Sequence, residues 1–168
     1  MHNAAAGYWS IASGSHYPAD SLCAFDDSFG AGLAEALLRC AEEERHVLLV
    51  AYDFPHRFPI SEFRRLSAPF AVALLLDPLP ENRGLALLEG RYQAGPPRPA
   101  SLADAQLEAL RLGNPAARSL PLLTAIAAGA SAELSFSHGL GGALHLSVAG
   151  AAFRPRPTGS GTIAGAAA

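Results

Sequence analysis

An α/β domain, with a mixed sheet around a buried central helix, is the architecture the sequence predicts. Three neighbouring stretches carry that expectation. Ser21 to Phe25 reads as a short strand, Phe29 to Ala41 as a helix and Val47 to Tyr52 as a second strand. The helix is apolar nearly all round, broken only by Glu35 and Arg39, so it is expected to be buried nearly all round. Those two residues are four apart and can pair along one narrow edge. Val47 to Tyr52 is a continuous apolar run, the pattern of a strand covered on both faces. Strand, helix and covered strand together predict a right-handed crossover in a parallel sheet. In such units chemistry gathers where the first strand meets the helix, which here is Asp26-Asp27-Ser28.

The other elements follow in order. Asn3 is placed to cap a short Ala-rich helix through Ala12, carrying Tyr8, Trp9 and Ile11 and stopped by Gly14. Ser15 to Asp20 is a loop. Phe54-Pro55-His56-Arg57-Phe58-Pro59 cannot be regular throughout, because its prolines lack donors and restrict their neighbours. Ser61 to Leu66 is expected as a helical turn, and Phe70 to Leu76 as an apolar strand. After the Asp77 to Gly84 turn region, Leu85 to Tyr92 returns as the second arm of a hairpin. Gln93 to Ala100 is an exposed connector. Ser101 and Asp104 are spaced as a capping box for a helix that Gly113 closes. Asn114-Pro115 restarts a helix, kinked at Pro121, that runs to Gly129. Ala132 to Ser137 and Ala143 to Ala149 are strands around His138-Gly139-Leu140-Gly141-Gly142. From Arg154 onward the Pro, Gly, Ser and Ala composition predicts a disordered tail, leaving a domain over residues 1–153.

Bulk properties narrow the function classes. A chain of 168 residues with 50% hydrophobic residues has enough material for one real core. A net charge of −3 without a basic cluster argues against nucleic acid and against an anionic membrane surface. All twelve basic residues are arginine, a composition that fits a GC-rich genome better than a functional signal. Cys23 and Cys40 make no disulfide framework and read as small buried hydrophobes. No run is long enough to span a bilayer and no signal peptide opens the chain, so the cytoplasm is the default location. His2, His16 and His145 are isolated, and His46 and His56 lie at opposite ends of a strand. No metal site and no cofactor is expected. Glu42-Glu43-Glu44 is a solvated helix end whose charges Arg45 offsets in part.

Several phrases resemble a known family. They are His2-Asn3-Ala4-Ala5-Ala6-Gly7-Tyr8-Trp9-Ser10-Ile11-Ala12, the segment Phe25 to Ala36, Val47 to Asp53, and Ala71 to Leu76 with Gly84 to Tyr92. Together they are similar to the N-terminal half of β-ketoacyl synthases, and more closely to the divergent ketoacyl-synthase-like domain of aryl-polyene and related fatty-acid or polyketide gene sets. The resemblance is good over residues 2–92 and weak afterwards. It implies half of a thiolase-like, condensing-enzyme domain. Related domains carry a strand and helices ahead of the His2-Asn3 phrase, so the resemblance also implies truncation at the N-terminus.

In that family the strand-to-helix corner holds a nucleophilic cysteine activated by the helix N-terminus. Counting back from the second strand puts that position at Asp26, and anchoring on the early helix glycine puts it at Asp27. A carboxylate there caps a helix well but is a poor acyl acceptor at neutral pH. Cys23 lies ahead of the corner, without the helix dipole. The family's catalytic histidines belong to its C-terminal half, of which His138 and its glycines are only a faint likeness; a glycine-rich hairpin turn accounts for them more simply.

The corner keeps three readings: a helix cap on a non-catalytic domain, a vestigial acyl pocket, and a Ser28 nucleophile, for which spacing offers no base and no Gly-x-Ser-x-Gly frame. The resemblance implies a non-catalytic, chain-length-factor type subunit. Its partner would be an active ketoacyl synthase subunit, in a heterodimer working on chains held by acyl carrier protein. The alternatives are a diverged acyltransferase or hydrolase using Ser28 or Cys23, and a folded remnant without activity.

Overall fold

The structure is a computed structural model that describes residues 3–79, 84–98, 100–139 and 141–150, and the backbone of 163–167. His2, part of the 77–84 turn, Pro99, Leu140 and residues 151–162 of the expected connector, turn and tail lie outside the described residues. The chain forms α1 (Ala4–Ser13), α2 (Ser28–Glu42), β1 (Val47–Asp53), α3 (Ile60–Phe63), β2 (Phe70–Asp77) and β3 (Ala86–Ala94). Then come α4 (Ala105–Gly113), a 3-10 turn (Ala116–Ser119), α5 (Leu120–Ala127), β4 (Ala132–Gly139), β5 (Gly142–Gly150) and β6 (Ile163–Ala167).

Helices and sheet combine as expected, but the sheet is not mixed. Its six described strands run in the order β1-β2-β6-β3-β5-β4, and every described pair is antiparallel. The parallel crossover fails because Ser21 to Phe25 forms no strand. Residues 18–24 are irregular, and Phe25–Asp27 is a 3-10 turn leading into α2. An extended apolar run becomes a strand only where a neighbour completes its backbone hydrogen bonds, and no described strand lies beside this one. Cys23 is therefore exposed, whereas Cys40 is buried as expected. Burial pushes the Cys40 thiol up and Asp77 adds to the effect, which keeps it unreactive.

β2 and β3 were expected to pair as a hairpin. Instead β6 lies between them, with Leu76 opposite Ala167 on one side and Leu88 opposite Gly165 on the other. Five residues of the segment expected to be disordered thus satisfy two strand edges that would otherwise stay open. The β4–β5 hairpin forms as predicted around its glycines, where Gly139 (φ 79°) and Gly141 (φ 78°) take the left-handed backbone the turn needs.

The core lies between one sheet face and the helices α2 and α5. Leu33, Leu37 and Cys40 of α2 pack with Leu74 and Leu76 of β2, Leu88 of β3, Leu146 and Val148 of β5, and Leu122 of α5. Phe29 meets Phe136 of β4 edge to face at 5.2 Å. Between Phe29 and Cys40 the α2 helix is buried except along Ala34, Glu35, Leu38 and Arg39, where the expected Glu35–Arg39 pair forms at 2.7 Å. Arg39 also reaches Asp20 at 2.5 Å, tying the N-terminal segment to the helix.

β1 is not covered on both faces. Val47, Leu49 and Ala51 turn toward the core, while Leu48, Val50 and Tyr52 are about half exposed on the other side. Across the register they lie beside Leu75, Ala73 and Ala71. A continuous apolar run does not distinguish a two-sided cover from one covered face and one bare apolar face. α1 has no buried residue, and its Tyr8, Trp9 and Ile11 are 73%, 58% and 79% exposed. Gly14 ends it with φ 65°, as predicted. Asn3 makes no side-chain cap; its amide donates to the Ala19 carbonyl and accepts from the Ser21 hydroxyl.

In α4 the cap is Asp104, whose Oδ1 accepts from the Gln106 and Leu107 backbone N–H groups. One turn on, the Arg111 guanidinium holds the Glu108 carboxyl down at about 2.

Candidate functional site

The corner predicted to carry chemistry is a turn rather than a strand end, and two distant arginines clamp it. Asp26 Oδ1 accepts from Arg64 Nη2 at 2.6 Å, and Oδ2 accepts from Arg118 Nη2 at 3.2 Å. Arg118 Nη1 also donates to the Asp26 main-chain carbonyl at 2.9 Å and lies 3.6 Å from Asp27 Oδ1. Asp26 is 41% exposed, so each pair contributes about 0.2–1 kcal/mol, in the range of surface ion pairs. The clamp fixes the carboxylate's position more than it stabilises the fold.

Ser28 is committed to the same turn. Its hydroxyl donates to the Phe25 carbonyl at 2.7 Å and accepts from the Ala24 N–H at 2.9 Å. Asp27 occupies the cap position of α2 but makes no side-chain cap hydrogen bond. Cys23 lies outside the corner, exposed, before the 3-10 turn. Asp26, Asp27 and Ser28 are therefore together, and Cys23 is not with them.

Behind the corner, α2 presses directly onto β4. A Cβ at Gly30 would meet the Ser137 carbonyl oxygen inside contact distance and stand 3.0 Å from Phe136 Cβ. The space left between Asp26, Phe29, Arg118 and Phe136 is about 20 Å³. That is room for a single water. No acyl chain fits in that gap behind the corner.

In front of the corner lies an open cleft of about 220 Å³, walled by Phe25, Phe63, Arg64, Arg65, Leu112 and Arg118 among others. No histidine lines either space. Nearby, burial pushes the Asp53 carboxyl up, against the pull of Arg64 and His56. Asn114, 1% exposed, pins the region. Its amide donates to the Asp53 and Ala68 carbonyls, and its oxygen accepts from the Ala116 and Ala117 N–H groups. This places Arg118 opposite the corner.

The sequence reading missed Arg64 and Arg118, which stand 38 and 92 residues from Asp26. One signal for Arg118 was present: it is the sole charge between Arg111 and Glu133, in an otherwise apolar stretch. The other histidines are scattered. His46 Nε2 is 3.3 Å from Asp77 Oδ2, His56 tilts against Phe54, and His138 meets the Tyr92 ring edge-on. Among the described residues, no three His, Cys, Asp or Glu side chains converge as a metal site, and no helix is long and apolar enough to cross a membrane.

The family model described as "Beta-ketoacyl synthase, N-terminal domain" matches residues 1–110, from the start of the chain into α4. Comparisons with curated proteins and with solved structures give no match. The match takes in the Asp26 corner, α2 and the first three strands of the sheet, and with about two thirds of its length matched, this chain belongs to the β-ketoacyl synthase N-terminal domain family.

Proposed function

We propose that the chain is a non-catalytic, chain-length-factor type subunit. It pairs as a heterodimer with an active ketoacyl synthase subunit in fatty-acid, polyketide or aryl-polyene synthesis. In this reading it contributes half of a thiolase-like assembly and a wall along which chains from acyl carrier protein are accommodated. The observation that carries the reading is the clamped carboxylate of Asp26, which with Asp27 is one of the two positions where the family resemblance places a nucleophilic thiol. A carboxylate whose two oxygens each accept from a guanidinium is a poor acyl acceptor.

The half-exposed apolar face of Leu48, Val50, Tyr52 and Leu75, with the bare aromatic residues of α1, supports association with another chain. The Ser28 hydroxyl is held within its own turn and Cys23 lies exposed ahead of it, so neither favours the acyltransferase or hydrolase alternative.

The test is condensation of malonyl- and acyl-carrier protein by the purified chain. No turnover is expected from the unmodified protein, nor from Asp26→Cys or Asp27→Cys, because no histidine lines the corner to manage decarboxylation. Turnover by the unmodified chain would falsify the non-catalytic reading.

A further inference from the structure

We propose that the cleft in front of the corner binds a small oxyanion, carboxylate or phosphate, carried on an apolar body. Three guanidiniums (Arg64, Arg65 and Arg118) line it against one carboxylate, Asp26. Asp26 engages one nitrogen of Arg64 and one of Arg118 through its side chain. Each guanidinium has five N–H donors in a planar fork, so both keep donors to spare. Arg65 is exposed and, among the described residues, makes no hydrogen bond or ion pair. Arginine forks match the spacing of carboxylate and phosphate oxygens, and an uncommitted arginine beside two anchored ones is an arrangement an oxyanion completes.

The apolar half of the ligand is read from the walls. Phe25, Phe63 and Leu112 are 74%, 88% and 68% exposed at the cleft. Phe25 holds a left-handed backbone, φ 54°, which side-chain-bearing residues rarely adopt. Its ring lies under the Arg64 guanidinium at 4.1 Å. Local strain at a non-glycine residue is a cost that clusters at binding sites, and here it sets an aromatic face against a cation at a cleft mouth. A ring or alkyl chain bearing an oxyanion fits both surfaces at once. A cleft of about 220 Å³ is on the small side for such ligands, which favours an aryl or short acyl body. This inference stands apart from the subunit reading, since the cleft is formed within the single chain.

The experiment is calorimetric titration of the full chain with benzoate, phenyl phosphate and inorganic phosphate, at two ionic strengths. Saturable binding of benzoate or phenyl phosphate is expected, with the tighter of the two identifying the head group. The Kd should rise with salt, as for a partly exposed ion pair. Arg65→Ala, which removes no folded-state partner, should weaken binding by about fivefold or more. Phe63→Ala should weaken both aryl probes and leave inorganic phosphate unchanged. Absence of saturable binding by either aryl probe up to about 10 mM overturns the proposal. So does an Arg65→Ala affinity equal to that of the parent, or inorganic phosphate binding as tightly as phenyl phosphate. An acidic segment of a partner protein as the true occupant would give the first of these results.

Discussion

Leu37→Ala is expected to destabilise the domain by about 2–5 kcal/mol, the range for truncating a fully buried leucine. Leu37 is 1% exposed in the middle of α2, within the one core cluster that joins α2, α5 and the sheet. Its Cδ1 also stands close to Gly90 of β3, where a Cβ would approach it to 3.0 Å. The side chain thus fills a gap that the glycine leaves in the sheet, and alanine would open a cavity that the strands cannot close without losing their register. Since domains of this size are stable by only about 5–15 kcal/mol, the variant should sit near its unfolding threshold at ambient temperature. Denaturant titration measures this. A loss well under 1 kcal/mol would show that α2 is peripheral and would remove the basis for placing the core there.

The second large effect is expected at Gly30. An alanine Cβ there would run into the Ser137 carbonyl oxygen, a backbone atom of β4 that cannot swing away as a side chain would. Overpacking a tight contact costs about 1–3 kcal/mol, and more when backbone must move. Gly30→Ala should fall at or above the top of that range despite alanine's better helix propensity. Because the contact sets how α2 meets β4, the substitution should also displace the Asp26 corner. Alanine at Gly7, whose Cβ would meet nothing within 4 Å, is the control and should leave stability unchanged or slightly raised. Equal melting temperatures for the Gly30 and Gly7 variants would show that the helix–strand contact is looser than described.

Local pattern carried much of the fold. The α2 helix was legible from its apolar run to within one residue at each end, and β1 from Val47 onward. What the pattern could not supply was partners. The run at Ser21 to Phe25 has strand composition but no neighbouring edge, so it stays irregular. β2 and β3 look like hairpin arms because nothing local announces that residues 163–167 lie between them. The apolar outer face of β1 reads as buried because composition records what a residue avoids, not what covers it. At the site, Asp26, Asp27 and Ser28 were legible as a helix entry. Arg64 and Arg118 were not, because a salt bridge between separate elements leaves no spacing in the sequence.

The subunit reading turns on association, and association is directly measurable. Size-exclusion chromatography with light scattering should be run on the chain alone and with a condensing-enzyme subunit, with melting temperature followed over a range of partner concentrations. The bare Leu48, Val50 and Tyr52 face and the exposed α1 aromatics predict self-association of the chain alone and a defined heterodimer with the partner. Binding only to the folded form adds RT ln(1 + [L]/Kd), about 2.7 kcal/mol at a hundredfold excess over Kd, so the melting temperature should climb with partner concentration. A stable monomer whose melting temperature ignores the partner would contradict the account.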